Sequence, residues 1–295
     1  MILNLFFEGL KNGLSMGSVF ALMALGYSMV YGIVKMINFA HSEFITIGGF
    51  VAYYLCEKVL HKMGWDYSVQ MILVSILAAI VVCVVIAFIT ERFAYRPLRQ
   101  KGSSRITALI TAIGVSYILN GLLNAINNTQ LVFPNFVNKD TAFIISISAT
   151  TVLLVLLTLF VKKTKLGIAM RAVSENEEAS KLMGINNNFI ISLTFMIGSA
   201  IAAIGVVIYL LNVPFFTFEL GSATIGLYPF VSAVIGGIGS LPGSVLGGFL
   251  IGIIREFAKV YGFGAWTDVI VYGIFVVILL FKPAGLLGKD IREKV

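Results

Sequence analysis

Charged side chains are scarce in this sequence: Asp, Glu, Lys and Arg together make up 12% of its 295 residues, about half the ~25% of a globular domain. Apolar residues fill the deficit at 59%, and the mean hydropathy is +0.98. Such a chain has too little polar surface to cover its apolar atoms in water, which excludes a soluble globule. Disorder is excluded on the same count. Cysteine is nearly absent, and Cys56 and Cys83 lie inside apolar runs, so no disulfide framework exists. With only two histidines, the chain is short of donors for a metal centre. No G-x-x-x-x-G-K-[ST] stretch occurs, so no P-loop holds a nucleotide. No polar tract is long enough to form a separate soluble domain.

What is present is apolar sequence in windows of membrane-crossing length. They fall at Leu14–Val34, Phe44–Val59, Val69–Thr90, Ile106–Ile126, Ala142–Val161, Ile190–Leu211, Ala223–Ile238, Ser244–Val260 and Asp268–Phe281. The Phe44, Ala223 and Ser244 windows are short or glycine-interrupted and read as broken or partly re-entrant helices. The expectation is an all-α polytopic membrane protein of eight or nine transmembrane or broken helices, forming a single domain over residues 1–295. The first window follows only Lys11 and precedes no small-residue cleavage site, so it reads as a retained helix rather than a signal peptide.

Fifteen of the 21 basic residues fall on one side of a nine-span arrangement. They are Lys35, five in Glu91–Arg105, five in Lys162–Phe189 and four after Phe281. The other side keeps Lys11, Lys58, Lys62, Lys139, Arg255 and Lys259. The positive-inside rule makes the first side cytoplasmic and leaves the C-terminus internal. The net charge of +7 thus speaks to topology and anionic lipid, not to nucleic acid.

Helices in lipid associate by close backbone approach, and small residues recur here at four-residue spacing. Gly13, Gly17, Ala21 and Ala24, Ser28, Gly32 form two early stripes. Gly239, Gly243, Gly247 and Ser244, Gly248, Gly252 form two late ones. Gly13-Leu14-Ser15-Met16-Gly17 mimics a hydrolase elbow but opens an apolar helix, where packing is its role. His41-Ser42-Glu43 lacks the P-C-x-x-C that a zinc deaminase needs, and Gly237-Ile238-Gly239 lacks the third glycine of a dinucleotide loop.

Three regions carry functional expectations. In Asn38, His41 and Glu43, polar groups interrupt apolar sequence near the expected inner boundary. Asn38 is placed to cap the next helix, and the segment is a candidate border of a translocation path. Gly48 and Gly49 belong to a Gly-Gly-Phe that recurs at Gly247–Phe249, hinting at an internal repeat. Gly236, Gly237, Gly239, Pro242 and Gly243 predict a helix break, lining either a cavity or a tight turn at the inner surface. The Lys162–Phe189 loop is long and charged. It predicts an amphipathic helix over Ala172–Gly184, with Val173, Ala179, Leu182 and Met183 on one face and Glu175, Glu177, Glu178 and Lys181 toward water. Gly184 provides its stop and Asn186-Asn187-Asn188 a turn. An ordinary interhelical loop has the same composition. No carboxylate is evident at the centre of a span.

Glu178-Ala179-Ser180-x-x-x-Gly184 resembles the E-A-A-x-x-x-G signature of ATP-binding-cassette importer permeases, with Ser180 at the second alanine. Gly17–Phe50, ERFAYRPLR (Glu91–Arg99), Arg171–Asn186, Val234–Gly252 and the tail KPAGLLGKDIREKV together resemble the LivH-type permease of branched-chain amino acid importers. The external segment Asn127–Ala142 is short for that family. The resemblance implies a permease in a bacterial-type cytoplasmic membrane, paired with a second, LivM-like permease. It also implies two cytoplasmic ATPases that use ATP and Mg, and an extracytoplasmic amino-acid-binding protein. Arg171, Glu178, Ala179 and Gly184 would then couple to the ATPase, and the chain itself would bind no cofactor and catalyse no reaction. A permease for sugars or nucleosides would share this architecture. A gradient-driven carrier or channel is the alternative of a different class.

Overall fold

The computed structural model describes residues 2–66, 68–222 and 225–288. The basic residues Lys289, Arg292 and Lys294 of the tail, and the first two residues of the Ala223 window, lie outside them. Every apolar window corresponds to a helix. The helices are α1 (Ile2–Val34), α2 (His41–Tyr53), α3 (Val69–Thr90), α4 (Arg96–Gln100), α5 (Arg105–Ile126) and α6 (Lys139–Lys163). They continue as α7 (Lys165–Glu175), α8 (Glu177–Leu182), α9 (Asn187–Asn212), α10 (Leu227–Gly236), α11 (Leu241–Val260) and α12 (Thr267–Phe281). Among the described residues, seven helical stretches are long and apolar enough to cross a membrane. α2 runs on through a π-helical segment, Tyr54–Leu60. α10, with 10 residues, rises only ~15 Å, half of a ~30 Å hydrocarbon core.

α1 and α9 form the centre, 78% and 72% buried over their most apolar windows, whereas α5, α6 and α12 are 17%, 17% and 11% buried and present broad apolar faces outward. Such a distribution suits lipid as solvent, where an exposed leucine costs nothing. The glycine stripes supply the central contact. α1 packs antiparallel on α11 so closely that a Cβ on Gly17 would fall 2.8 Å from Phe249 Cα, and one on Gly13 would fall 2.9 Å from Ile253 Cα. Farther along, Gly32 meets Gly239 at 3.1 Å, and the Gly239 amide donates to Ser28 Oγ at 2.8 Å. Gly13, Gly17, Ala21 and Gly32 of α1 thus meet Gly239, Gly248 and Gly252 along one seam, whereas Gly243 and Gly247 of the late stripes pack against α10.

α10 and α11 make a hairpin closed by Gly237 (φ +106°) and Gly239 (φ +92°). Ser240 caps α11, its hydroxyl accepting from Gly243 N at 3.3 Å, and Pro242 sits in the first turn of α11, where its missing N–H is no loss. The chain after α12 folds back over this turn, with Leu286 N donating to Ile235 O and Leu287 N to Gly236 O. Between α9 and α10 the described residues form no helix, and this connection is the arm before α10. It begins in a two-residue strand, β2 (Phe215–Phe216), which pairs antiparallel with β1 (Leu131–Val132). Within the described residues the Ala223 window holds a short turn and the half-length helix α10.

Candidate functional site

The segment between α1 and α2 turns back into the bundle before α2 begins. His41 sits against Gly26 of α1 and Gly198 of α9: a Cβ on Gly26 would fall 2.6 Å from His41 Nε2 and 2.8 Å from Gly198 O. Gly26 precedes the end of α1 by eight residues and Gly198 follows the start of α9 by eleven, about 12 and 16 Å of helix. Both points lie at least two helical turns inside the bundle from those helix ends. His41 and Glu43 are therefore packed within the bundle rather than at its end, 1% and 0% exposed. The reason is topological, since a non-helical turn of six residues carries the start of α2 inward. For the same reason a carboxylate does stand inside the bundle, although none is evident from the apolar windows.

Asn38 does not cap α2. Ala40 holds the capping position without a side-chain bond, and the turn closes through the backbone, with His41 N donating to Asn38 O at 3.1 Å. The Asn38 side chain turns instead to the neighbouring element and accepts from Tyr95 Oη at 2.6 Å. His41 is wedged between rings, 4.4 Å from Tyr27 and 6.0 Å from Phe44. Neither of its ring nitrogens has a hydrogen-bond partner among the described residues.

Glu43 borders an open cavity of about 370 Å³ between α1, α2, α5, the arm before α10 and α10 itself. Its carboxylate accepts from Ser116 Oγ at 3.1 Å and from Asn120 Nδ2 at 3.4 Å. Asn120 also donates to Phe218 O at 3.0 Å and Ser222 Oγ at 3.2 Å, tying α5 to the arm. Ile113, Leu227 and Phe230 supply an apolar wall. The other sequence-selected residues lie elsewhere. Gly48 and Gly49 serve α2–α9 packing, with Val206 3.0 and 3.4 Å from where their Cβ atoms would be. Gly247 likewise packs under Ser232 of α10. Gly236, Gly237, Gly239, Pro242 and Gly243 form the hairpin turn and are not among the cavity's lining residues. Ser116, Asn120 and Ser222 are missed by sequence reasoning. A polar residue on each of two successive turns of α5 was the available signal.

The second feature is the loop after α6. The sequence predicts one helix over Ala172–Gly184; the structure has two. α7 buries Gly167, Met170 and Val173 against the bundle. Asn176 then takes an extended conformation, and its side chain caps α8 by accepting from Ala179 N at 2.9 Å. An asparagine that satisfies an orphan amide competes with continuing the helix, which is why the break falls there. Gly184, at φ +83°, ends α8 with its amide bonded to Lys181 O and that of Ile185 to Ser180 O, a left-handed stop that any side chain would strain. Glu178 and Ala179 are exposed. Leu182 and Met183 are 89% and 82% exposed, so the apolar face is unpartnered rather than turned inward. Arg171 is exposed too and donates to Lys162 O at 3.2 Å.

Ser180 is buried. Its hydroxyl donates to Glu177 O at 2.9 Å and lies 3.0 Å from Asn187 Oδ1, while Asn187 Nδ2 donates to Glu177 O at 2.6 Å. α8 is thereby fastened to the start of α9. A charge network fastens it to the α3–α4 corner as well. Arg99 lies 3.4 Å from Glu177 and 3.5 Å from Glu91, and donates to Asn188 Oδ1 at 2.6 Å. Fully buried Glu91 accepts from Arg96 at 2.8 Å and from Ser192 Oγ at 2.6 Å. The triple asparagine is thus a set of distinct anchors: Asn186 caps α9, Asn187 holds α8 and Asn188 holds Arg99.

A bundle with helices long and apolar enough to cross a membrane, a cavity bordered by a buried carboxylate, and a surface hairpin bound by charge to that bundle, is a multi-pass membrane protein. The chain belongs to the family described as branched-chain amino acid transport system / permease component, whose profile matches residues 9–279. It is 39% identical to the high-affinity branched-chain amino acid transport system permease protein BraD of Pseudomonas aeruginosa, over 98% of each chain. It is 34% identical to the correspondingly named LivH of Escherichia coli, again over 98% of each. The probable branched-chain amino acid transport permease protein LivM of Methanocaldococcus jannaschii is 27% identical over 43% of this chain and 40% of that one.

Proposed function

We propose that this chain is one permease half of an ATP-driven importer and provides part of the path by which branched aliphatic amino acids cross the cytoplasmic membrane. The observation that carries the reading is the agreement over 98% of both chains with permeases whose names specify that transport. The partial likeness to a LivM-named protein supports a second permease of related build as the other half. The exposed Leu182–Met183 face supports docking of α8 into a groove on an ATPase, as apolar-anchored helices do. ATP and Mg would be used there, and an external binding protein would deliver the substrate. The basic residues of the α3–α5 and α6–α9 connections gather at one end of the bundle with Lys35, which supports a cytoplasmic assignment for that end.

In this reading no bond chemistry occurs in the chain. Closure of the ATPase pair pushes α8, and Arg99 and Asn187 carry the push to α3, α4 and α9. Tyr95, on the π-helical segment Glu91–Tyr95 that joins α3 to α4, holds Asn38 and so links the corner to the turn before α2. The halves then move as rigid bodies and open the path to one side at a time. Co-purification with the four partner subunits and leucine uptake into proteoliposomes tests this directly. Uptake is expected only with internal binding-site access to ATP and with the binding protein outside. A gradient-driven carrier is the rival that Glu43, buried inside the bundle, favours. Leucine accumulation by this chain alone under a proton gradient would establish that rival and overturn the import assignment.

A further inference from the structure

The Glu43 cavity combines features that select a ligand. Glu43 is a fully buried carboxylate inside the bundle, and among the described residues it takes part in no ion pair. A buried charge held only by neutral donors is poorly compensated. The exposed carboxylate of Glu219 borders the same space, so the cavity carries two acidic groups and no basic one. Ser116 and Asn120 donate to Glu43, and Ser222, which accepts from Asn120, lines the same space. Ile113, Leu227 and Phe230 form the apolar side. From this arrangement we infer that the cavity binds an amino acid in transit, its ammonium group at Glu43 and its aliphatic side chain on the α5–α10 wall. The inference rests on the import reading and names the contact by which this half of the path distinguishes an amino acid from a neutral solute of similar size.

The test uses the assembled complex in nanodiscs, with Ile113→Cys as a reporter on the cavity wall. Cys56 and Cys83 are both buried, so labelling of the new thiol by a charged reagent stands out. At a concentration about ten times its dissociation constant, leucine is expected to slow labelling about tenfold, because only the free site reacts. Isoamylamine, which keeps the ammonium and the side chain, should protect as leucine does. Isocaproate, which lacks the ammonium, should not. Adding Glu43→Gln should abolish protection by both amines. Equal protection by isocaproate overturns the inference without needing any further variant, as does protection that persists in Glu43→Gln. A reporter thiol that never reacts overturns it too, because the cavity is then closed. ATP-dependent leucine uptake by the wild-type complex is measured alongside. Failure there removes the import reading and this inference together, whereas uptake with no discrimination between the probes removes the inference alone.

Discussion

Glu91 has no exposed surface and holds two arginines and a serine around one carboxylate, at the corner where α3, α4, α8 and α9 meet. Breaking a buried ion pair by deleting one partner leaves the other charges uncompensated, at a cost of about 3–5 kcal/mol. Glu91→Ala is therefore expected to lower the thermal inactivation temperature of the purified complex markedly. An unchanged temperature would show that the arginines find other partners. Arg99→Ala acts differently, because it also releases Glu177. The complex should keep its ATPase activity but lose its stimulation by loaded binding protein, with uptake falling about tenfold or more if the push is worth at least 1.4 kcal/mol. At Ser180, where the family signature has alanine, the hydroxyl spans α8 and α9. Ser180→Ala should cost about 1 kcal/mol, read as faster proteolysis of the loop.

Between elements, the decisive contact is the seam of α1 on α11. Gly17 faces backbone, not a side-chain tip that can swing away: Phe249 Cα lies 2.8 Å from the site of its missing Cβ. Gly17→Leu is expected to prevent the seam from closing and to abolish detergent-stable assembly while membrane insertion persists. Recovery of a normal monodisperse complex would show that α1 can tilt to make room. α8 offers the opposite case, an element built to leave an apolar face open. Replacing Leu182 and Met183 by serine should leave the hairpin folded, because its caps and the Asn187 anchor are untouched. The variant is expected to lose co-purification with the ATPases.

For the molecule as a whole, the arrangement separates a rigid centre from a lipid-facing shell. α1, α9 and α11 lock through glycine and small residues, whereas α5 and α6 expose apolar faces. The Glu43 cavity lies where the two zones meet, under α5. A path placed there changes width when α5 moves relative to the centre, without any break in the central seam. Side assignment is testable on the same scale: a cysteine at Glu178 should react with an impermeant reagent only from the cytoplasm, and one at Lys139 only from outside. Reaction from the reverse sides would invert the whole topology.

Composition and apolar window length were enough to determine the membrane class, the position of the long apolar helices and most residues of the α1–α11 seam. These follow from local rules: lipid demands ~20 apolar residues per crossing, and close packing demands small ones. The end of α8 at Gly184 was legible for the same reason, since a stop is a property of a few neighbouring residues. Depth was not legible. His41 and Glu43 sit beside a polar turn, which by sequence marks a surface, and only the return of that turn into the bundle carries them inside. Nor could sequence pair Glu91 with Arg99, Tyr95 with Asn38 or Glu43 with Asn120, because each contact joins elements that are remote along the chain and near only after packing. The apolar periodicity of Ala172–Gly184 likewise suggested one continuous amphipathic helix, whereas the cap at Asn176 divides it and buries only the first part, α7, against the bundle. Tertiary structure alone decided which polar groups are buried together, since burial depends on where neighbours come to rest.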